Sequence, residues 1–272
     1  MPVTADFHLH SSHSGDSDAP MQDMILKGIE RGLTHMCFTE HMDYDFPVCD
    51  ECPDGTFILN TDSYLYDLIR HRERFEKQIA IRFGVELGLQ PHLFGKNAQL
   101  VRNYDWDFII GSSHVVNGRD PYYPAFYEGR SEESAYREYF ESILANLKKF
   151  TNFDVYGHLD YVVRYGPNKA ANYSYAKYAD VIDEILKTLI ENEKGIELNT
   201  GGFAKGSAEP NPCSDIIRRY RELGGEIITV GSDAHTPSAV ASNLDKATEI
   251  LLACGFKYYT VFEHRVAEYK KL

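Results

Sequence analysis

Short runs of β-branched and aromatic residues alternate with longer amphipathic stretches along the whole chain. The pattern predicts seven strands, over residues 3–10, 35–41, 80–87, 107–114, 153–159, 195–199 and 226–233. A further run from Lys257 to Phe262 is placed either to close the sheet or to flank it. Several of the intervening helices carry start and stop signals. Pro20 opens a helix over 20–32 that stops at Gly32, with proline early and glycine late as helix ends favour. Thr61-Asp62-Ser63 predicts the cap of a helix over 62–78, whose Arg70, Arg72, Glu73, Arg74, Glu76 and Lys77 mark a solvated face. Ser131-Glu132-Glu133 opens a helix over 132–149 that ends in Lys148 and Lys149, in keeping with the helix dipole. Thr236-Pro237 predicts the N-cap and first residue of a helix reaching about Cys254. No repeat, low-complexity segment or flexible linker interrupts the alternation. It therefore predicts an α/β fold with a parallel barrel, one domain over residues 1–272. The loops near 42–60 and 115–130 are longer than a barrel needs, and long ordered loops at a catalytic face form substrate sites or lids.

Composition narrows the class. With 272 residues, 43% hydrophobic and 25% charged, the chain can build one large core and is too apolar for disorder. No apolar run approaches ~20 residues, and the first residues lack the basic-then-apolar pattern of an export signal, so a membrane partner is not expected. A formal charge of -13 argues against nucleic acid as a partner and leaves a small molecule. An anionic substrate stays open, because bound divalent cations reverse the sign locally. The five cysteines are Cys37, Cys49, Cys52, Cys213 and Cys254, an odd count that, without an export signal, predicts a cytoplasmic location. Cys49-Asp50-Glu51-Cys52 is a lone C-x-x-C in a loop, with no second pair for zinc and no helix behind it, and reads as plain loop cysteines.

The candidate chemistry lies at the strand ends. His8 and His10, at i and i+2, share one face of the first strand and a polar loop follows at once. Alone, that pair fits a metal site or two surface histidines on an edge strand equally well. The other strands weigh in. The second ends Phe38-Thr39-Glu40-His41 and the third Gly84-Val85-Glu86. The fourth ends Ser112-Ser113-His114, and the fifth Tyr156-Gly157-His158-Leu159-Asp160. The sixth ends Glu197-Leu198-Asn199, and the seventh Gly231-Ser232-Asp233-Ala234-His235. Six of the 11 histidines fall at these ends together with acids, which predicts a polynuclear metal site on the carboxyl rim of a barrel. His13, His35, His71, His92 and His264 lie away from these ends and read as ordinary.

Taken in order, F-H-x-H, T-E-H, G-x-E, S-x-H, G-H-x-D, E-x-N and S-D-x-H resemble the polymerase and histidinol phosphatase (PHP) family over essentially the whole chain. The stand-alone length, the T-E-H-x-D form and the loop with Pro121-Tyr122-Tyr123 are most similar to its histidinol-phosphate phosphatases. The resemblance implies a distorted TIM-like (β/α)7 barrel that binds three divalent metal ions. By it, His8, His10, Glu86 and Asp233 hold one ion, and Glu86 bridges to a second completed by His114 and His158. Asp16, His41 and His235 hold the third, with Asp16 standing where several relatives carry histidine. Asp233, His235 and Glu86 are the implied catalytic residues, and Glu40 orients an imidazole. The implied reaction is hydrolysis of L-histidinol phosphate to L-histidinol and phosphate in histidine biosynthesis.

The residue inventory supports such chemistry by itself. Two cations ~3.5–4 Å apart can bridge a hydroxide and hold both oxygens of an in-line displacement, and a third adds charge for a dianionic phosphate. Zinc, manganese and iron all suit mixed imidazole and carboxylate ligation. No glycine-rich P-loop is present, so the metals take most of the phosphate charge. Arg164, just after the fifth strand, is the first choice for a phosphate-binding guanidinium and Lys205 the second, each against the alternative of a solvated loop cation. Relatives tend to carry an Arg-Lys pair where this chain has Ala204-Lys205. Asn199 either touches substrate or holds a ligand in place. Tyr122, Tyr123, Phe126 and Tyr127, with Glu128, either enclose an imidazole and pair an ammonium or pack as an apolar lid. Asp160, Glu40 or a metal-bound water are the candidates for protonating the leaving alcohol. Two other readings are hydrolysis of other phosphomonoesters or nucleotides, and amidohydrolase chemistry. The latter shares His-x-His but usually needs a bridging lysine, and no strand here ends in one.

Overall fold

Strands buried on both faces must pair with neighbours on both sides, and in the computed structural model, which describes residues 2–272, they do so in chain order. β1 (Ala5–Leu9), β2 (His35–Met42), β3 (Ala80–Gly88), β4 (Phe108–Ser112), β5 (Val155–Tyr156), β6 (Gly195–Asn199) and β7 (Ile228–Gly231) form one parallel sheet in the order β1-β2-β3-β4-β5-β6-β7. The sheet curls until its edges meet. Asp233 N donates to His8 O and His10 N to Ala234 O, each at 2.9 Å, which makes a nearly closed barrel. Every strand the sequence predicts is present, though most are trimmed at their ends. The fifth keeps only two residues, because the chain leaves the ladder after Gly157, and His158 has a positive φ of 21°. A Cβ at Gly157 would overlap Ile110 and Ser112 across the ladder, so glycine is required for that close exit.

The helices α1 (Met21–Glu30), α2 (Thr61–Phe75), α3 (Phe94–Asn103), α4 (Glu132–Leu147), α5 (Ala179–Glu191), α6 (Gly201–Ala204), α7 (Ser214–Glu222) and α8 (Leu244–Ala253) connect the strands. Ser131 caps α4 as predicted, accepting from Ser134 N. α2 is capped one residue earlier than Thr61-Asp62-Ser63 suggests, by Asn60, whose Oδ1 accepts from Ser63 N at 3.1 Å. The helix predicted from Thr236-Pro237 is interrupted. Pro237–Ala239 is a 3-10 turn, and α8 begins only at Leu244, after Asn243 at φ 59°. Tertiary partners claim the backbone in between: Asp6 accepts from Ala241 N at 2.8 Å, and Thr200 Oγ1 donates to Ser242 O at 2.7 Å. Those bonds replace the i→i−4 ladder that a continuous helix would need.

The run from Lys257 flanks the sheet rather than closing it. β8 (Tyr258–Glu263) and β9 (Val266–Lys271) form a separate antiparallel hairpin that covers the amino-terminal end of the barrel. Phe262 packs on Phe108 with ring centroids 5.0 Å apart, Thr260 Oγ1 accepts from Ile228 N, and Arg265 Nε reaches Asp154, just before β5, at 3.0 Å. The base of the barrel is thereby sealed, and its carboxyl rim is left for the polar strand ends. No helix among the described residues is long and apolar enough to cross a membrane.

Candidate metal and substrate site

Glu86, at the end of β3, is fully buried at the centre of the rim. Its Oε1 lies 2.9 Å from His158 Nε2 and 3.2 Å from His114 Nε2, and accepts from Ser112 Oγ at 2.7 Å. Its Oε2 lies 3.2 Å from His8 Nε2, 3.6 Å from His10 Nε2 and 3.1 Å from His41 Nδ1. Asp233 Oδ1 sits 3.7 Å from His8 Nε2 and 3.6 Å from His10 Nε2. Asp16 Oδ2 lies 3.5 Å from His41 Nε2 and 3.1 Å from His235 Nε2. The fold thus brings together all nine residues of the predicted ligand set. They come from six strand ends and the first loop, because parallel strands in sequential order deliver their last residues to one face.

The donor atoms point at shared space rather than at each other. His8 Nε2, His10 Nε2, His41 Nδ1 and Glu86 Oε2 are buried without a hydrogen-bond partner among the described residues, although they lie within a few ångströms of one another. An unsatisfied buried polar atom costs ~1–3 kcal/mol, so four in one cluster call for a common partner. Four triads of ligand atoms, each within 4.8 Å, can be drawn here: His8-His10-Asp233, His8-Glu86-His158, His41-Glu86-His114 and His10-His41-His235. Mixed imidazole and carboxylate donors at these separations fit divalent transition-metal ions. Glu86 and His10 are held in the ligating charge state, while the neighbouring acids raise His8, His41, His114 and His235. Burial pushes the Glu86 carboxyl upward, but His8, His114 and His41 outweigh it and hold the group well below the carboxylate range. Burial, with the neighbouring His235 and His41, keeps His10 neutral, the ligating form of an imidazole.

The far nitrogens of His8, His114 and His10 are tied down by a second row of acids, whereas His158 Nδ1 has no partner among the described residues. Glu197 Oε1 lies 2.6 Å from His8 Nδ1, while its Oε2 accepts from His158 N at 2.9 Å. Asp43 Oδ1 is 2.7 Å from His114 Nδ1. Glu40 acts through a hydroxyl: Ser14 Oγ donates to Glu40 Oε2 at 2.6 Å and lies 3.1 Å from His10 Nδ1. Carboxylates behind ligating histidines fix the ring and raise its basicity. Sequence reasoning anticipated Glu40 but missed Asp43 and Glu197. Their signals were present, Asp43 as the last residue of T-E-H-x-D and Glu197 on the same strand face as Asn199, two residues on. Gly231 makes the packing possible, since a Cβ there would overlap both His8 and Glu197.

A cavity of about 550 Å³ opens beside the cluster. Arg164 lies in its wall with only 4% of its side chain exposed. Its guanidinium is held on three sides: Nε donates to Asn211 at 2.7 Å, Nη1 to Asp233 at 2.8 Å and Nη2 to Asn199 at 2.6 Å. Lys205 is also in the wall, with Nζ 5.4 Å from the centre of the Tyr165 ring. Asn199, read from the sequence as either a substrate contact or a support for a ligand, is fully buried and does not line the cavity; it holds Arg164 and donates to Asp233 at 3.3 Å. Tyr122 and Tyr123 line the cavity, whereas Phe126, Tyr127 and Glu128 do not. Phe126 is buried under the guanidiniums of Arg119 and Arg130, and Tyr127 Oη is spent on the carbonyls of Pro121 and Val162. Asp160 and Glu40 also face away from the cavity, so neither is placed to protonate a leaving group. Asp160 accepts instead from Asn211 Nδ2 at 2.6 Å and Cys213 N at 2.9 Å.

Asp120 is a further acid in this wall that sequence reasoning missed. It is 9% exposed, Oδ1 accepts from Tyr122 N at 2.7 Å, and no cationic side chain pairs with it among the described residues. Burial pushes its carboxyl up from the ordinary 3.8 to about 6. Nothing in the local sequence, an Arg-Asp-Pro turn, distinguishes it from a solvated loop acid.

A parallel seven-stranded barrel with a histidine and carboxylate cluster on its carboxyl rim, open to the cavity beside it, defines the class of protein. The chain belongs to the PHP domain family, whose pattern matches residues 6–201. It is 33% identical to the histidinol-phosphatase of Lactococcus lactis subsp. lactis, over 94% of this chain and 93% of that protein. It is 31% identical to a probable histidinol-phosphatase of Clostridium acetobutylicum, over 97% of this chain and 98% of that one. The crystal structure of histidinol phosphate phosphatase from Lactococcus lactis subsp. lactis, in complex with zinc, L-histidinol and phosphate, matches with a TM-score of 0.90 at 31% identity. That match covers 98% of this chain and 99% of the other. The distorted (β/α)7 barrel expected from the sequence is the observed fold.

Proposed function

We propose that this protein is a metal-dependent phosphomonoester hydrolase that converts L-histidinol phosphate to L-histidinol and phosphate in the cytoplasm. The observation that carries the reading is the mixed lining of the cavity beside the ligand cluster. The ligand cluster, Arg164 and Lys205 offer it positive charge, and Asp120 with the rings of Tyr122 and Tyr123 in the same wall offers a carboxylate and aromatic faces. A substrate with a dianionic phosphate at one end and an ammonium and imidazole at the other matches both. In this reading His8, His10, Glu86 and Asp233 hold one divalent ion, Glu86 with His114 and His158 a second, and Asp16, His41 and His235 a third. Zinc, manganese or iron would suit the donors. Bound ions supply Lewis acidity toward the phosphoryl group and lower the pKa of water.

The chain's own residues do the rest. Arg164 presents its guanidinium to the phosphoryl oxygens, pre-oriented by Asn199, Asn211 and Asp233 so that little side-chain entropy is lost on binding. Lys205 adds positive charge at the mouth. Asp233, His235 and Glu86 border the phosphate end and are the catalytic residues of this reading. Asp120 accepts the substrate ammonium, and Tyr122 and Tyr123 offer ring faces to the imidazole. No strand of the barrel ends in a lysine, in keeping with phosphate-ester rather than amidohydrolase chemistry.

The test is phosphate release from a panel of monoesters on protein whose metals have been counted. A substrate ammonium and ring together are worth ~3 kcal/mol, so kcat/KM for histidinol phosphate should exceed that for glycerol phosphate ~100-fold. Equal efficiency across the panel would sink the substrate assignment while leaving a general phosphatase.

A further inference from the structure

Cys49 and Cys52 lie in the loop between β2 and α2 and have no part in the ligand cluster. The fold makes them a reciprocal backbone pair. Cys49 N donates to Cys52 O at 3.0 Å, and Cys52 N to Cys49 O at 3.1 Å. Residues that exchange both backbone bonds in this way stand ~5.5 Å apart at Cα, inside the ~4.4–6.8 Å that a disulfide spans. The thiols also converge on one atom: Tyr123 Oη is 3.2 Å from Cys49 Sγ and 3.6 Å from Cys52 Sγ. Among the described residues no third imidazole, carboxylate or thiol completes a metal site there. Both cysteines are half-buried and reachable from solvent. The pair is chemically asymmetric. The hydrogen bond with Tyr123 lowers the Cys49 thiol below its usual range, while burial raises that of Cys52. One thiol is therefore set up to attack and the other to resolve. Glu51, Cys52 and Tyr123 all line the cavity, and Tyr123 packs edge-on against Tyr122 with centroids 5.0 Å apart.

We propose that Cys49 and Cys52 form a dithiol that hydroperoxides oxidise to an intramolecular disulfide, and that the disulfide releases Tyr123 from its place in the cavity wall. The Cys49 thiolate attacks one oxygen of the hydroperoxide, the O–O bond breaks, and the departing alkoxide takes a proton to leave as alcohol. The sulfenic acid on Cys49 is then attacked by the Cys52 thiolate, which forms the S–S bond and expels hydroxide. That hydroxide leaves as water with the proton given up by Cys52. Two thiols and one hydroperoxide become one disulfide, one alcohol and one water. The disulfide sulfurs no longer bond to Tyr123 Oη, so the ring loses both sulfur partners and the wall facing the leaving group loosens. The disulfide itself is independent of the proposed function, whereas its effect on KM rests on that function.

The experiment treats zinc-loaded, full-length protein with tert-butyl hydroperoxide, blocks remaining thiols with iodoacetamide, and reads peptide masses and kinetics together. The expected result is that the peptide carrying Cys49 and Cys52 loses two hydrogens and escapes alkylation. KM for histidinol phosphate rises about tenfold with kcat retained, and dithiothreitol restores it. Cys49→Ser should block both the mass change and the KM response. Tyr123→Phe should still form the disulfide, with no further rise in KM on oxidation. Full alkylation of both cysteines after peroxide, or sulfinic acid on one without a disulfide, overturns the proposal. A disulfide that leaves KM unchanged overturns its coupling to Tyr123. A disulfide in a protein that releases no phosphate from any monoester would refute the proposed function and leave the dithiol standing.

Discussion

Replacing Asp120 by Asn should make the protein more stable and a worse enzyme, with each effect tied to pH in its own way. The carboxyl is raised from 3.8 to about 6 by burial, so the folded chain holds this proton more tightly than the unfolded chain does. Such a group adds stability below pH ~4, and that contribution is lost as pH rises through ~6, because folding then traps a charge away from water. A shift of about two pH units corresponds to ~3 kcal/mol, with little screening to discount at 9% exposure. Asn removes the charge and keeps an oxygen for the Tyr122 N–H. In urea melts of metal-stripped protein, Asp120→Asn should gain up to ~3 kcal/mol over the parent at pH 8, and the gain should vanish by about pH 4. The same change deletes the acceptor for the substrate ammonium. A charge-assisted bond of ~1.5–3 kcal/mol predicts a KM for histidinol phosphate ~10- to 100-fold higher, with KM for glycerol phosphate unaffected. A variant less stable than the parent at pH 8 would show that Asp120 is paired in a way the structure does not contain. An unchanged KM would remove it from the substrate contacts.

Other perturbations separate the site from the scaffold. His10→Ala and Asp233→Ala should each abolish turnover and lower the metal content measured by mass spectrometry. His71→Ala, on α2 beside Asp67, should change neither, and equal loss in all three would mean general unfolding. Glu197→Ala should weaken metal affinity ~10- to 100-fold in chelator competition, because His8 loses the carboxylate behind its ring. Arg265→Ala, at the sealed base, should cost ~1–3 kcal/mol in urea melts by leaving Asp154 without its cation, while kcat of the folded fraction holds.

Much of the site could be read in advance because it obeys local rules. His8 and His10 share a face because strand side chains alternate, and sequential parallel strands must end on one rim. The succession of polar strand ends therefore determined both the barrel and the inventory of donors. It did not determine which acids stand behind which rings. His8 meets Glu197 across 189 residues, and His114 meets Asp43 across 71. Neither periodicity nor spacing encodes those pairings, which arise when β1 and β7 close the barrel and the β2 loop folds over it. Tertiary bonds likewise decided the elements that went astray. Ala241 and Ser242 spend their backbone groups on Asp6 and Thr200, which ends the helix that Thr236-Pro237 would start. That Asp120 rather than Glu128 lines the cavity rests on the same cause. Both are polar loop residues in the sequence, and only the packing of Phe126 and Tyr127 into the core leaves one facing the cavity and turns the other away. Local pattern determined which side chains the chain can offer to a metal and a phosphate. Three-dimensional closure decided which of them are buried, paired and aimed, because burial and pairing depend on neighbours that are distant along the chain.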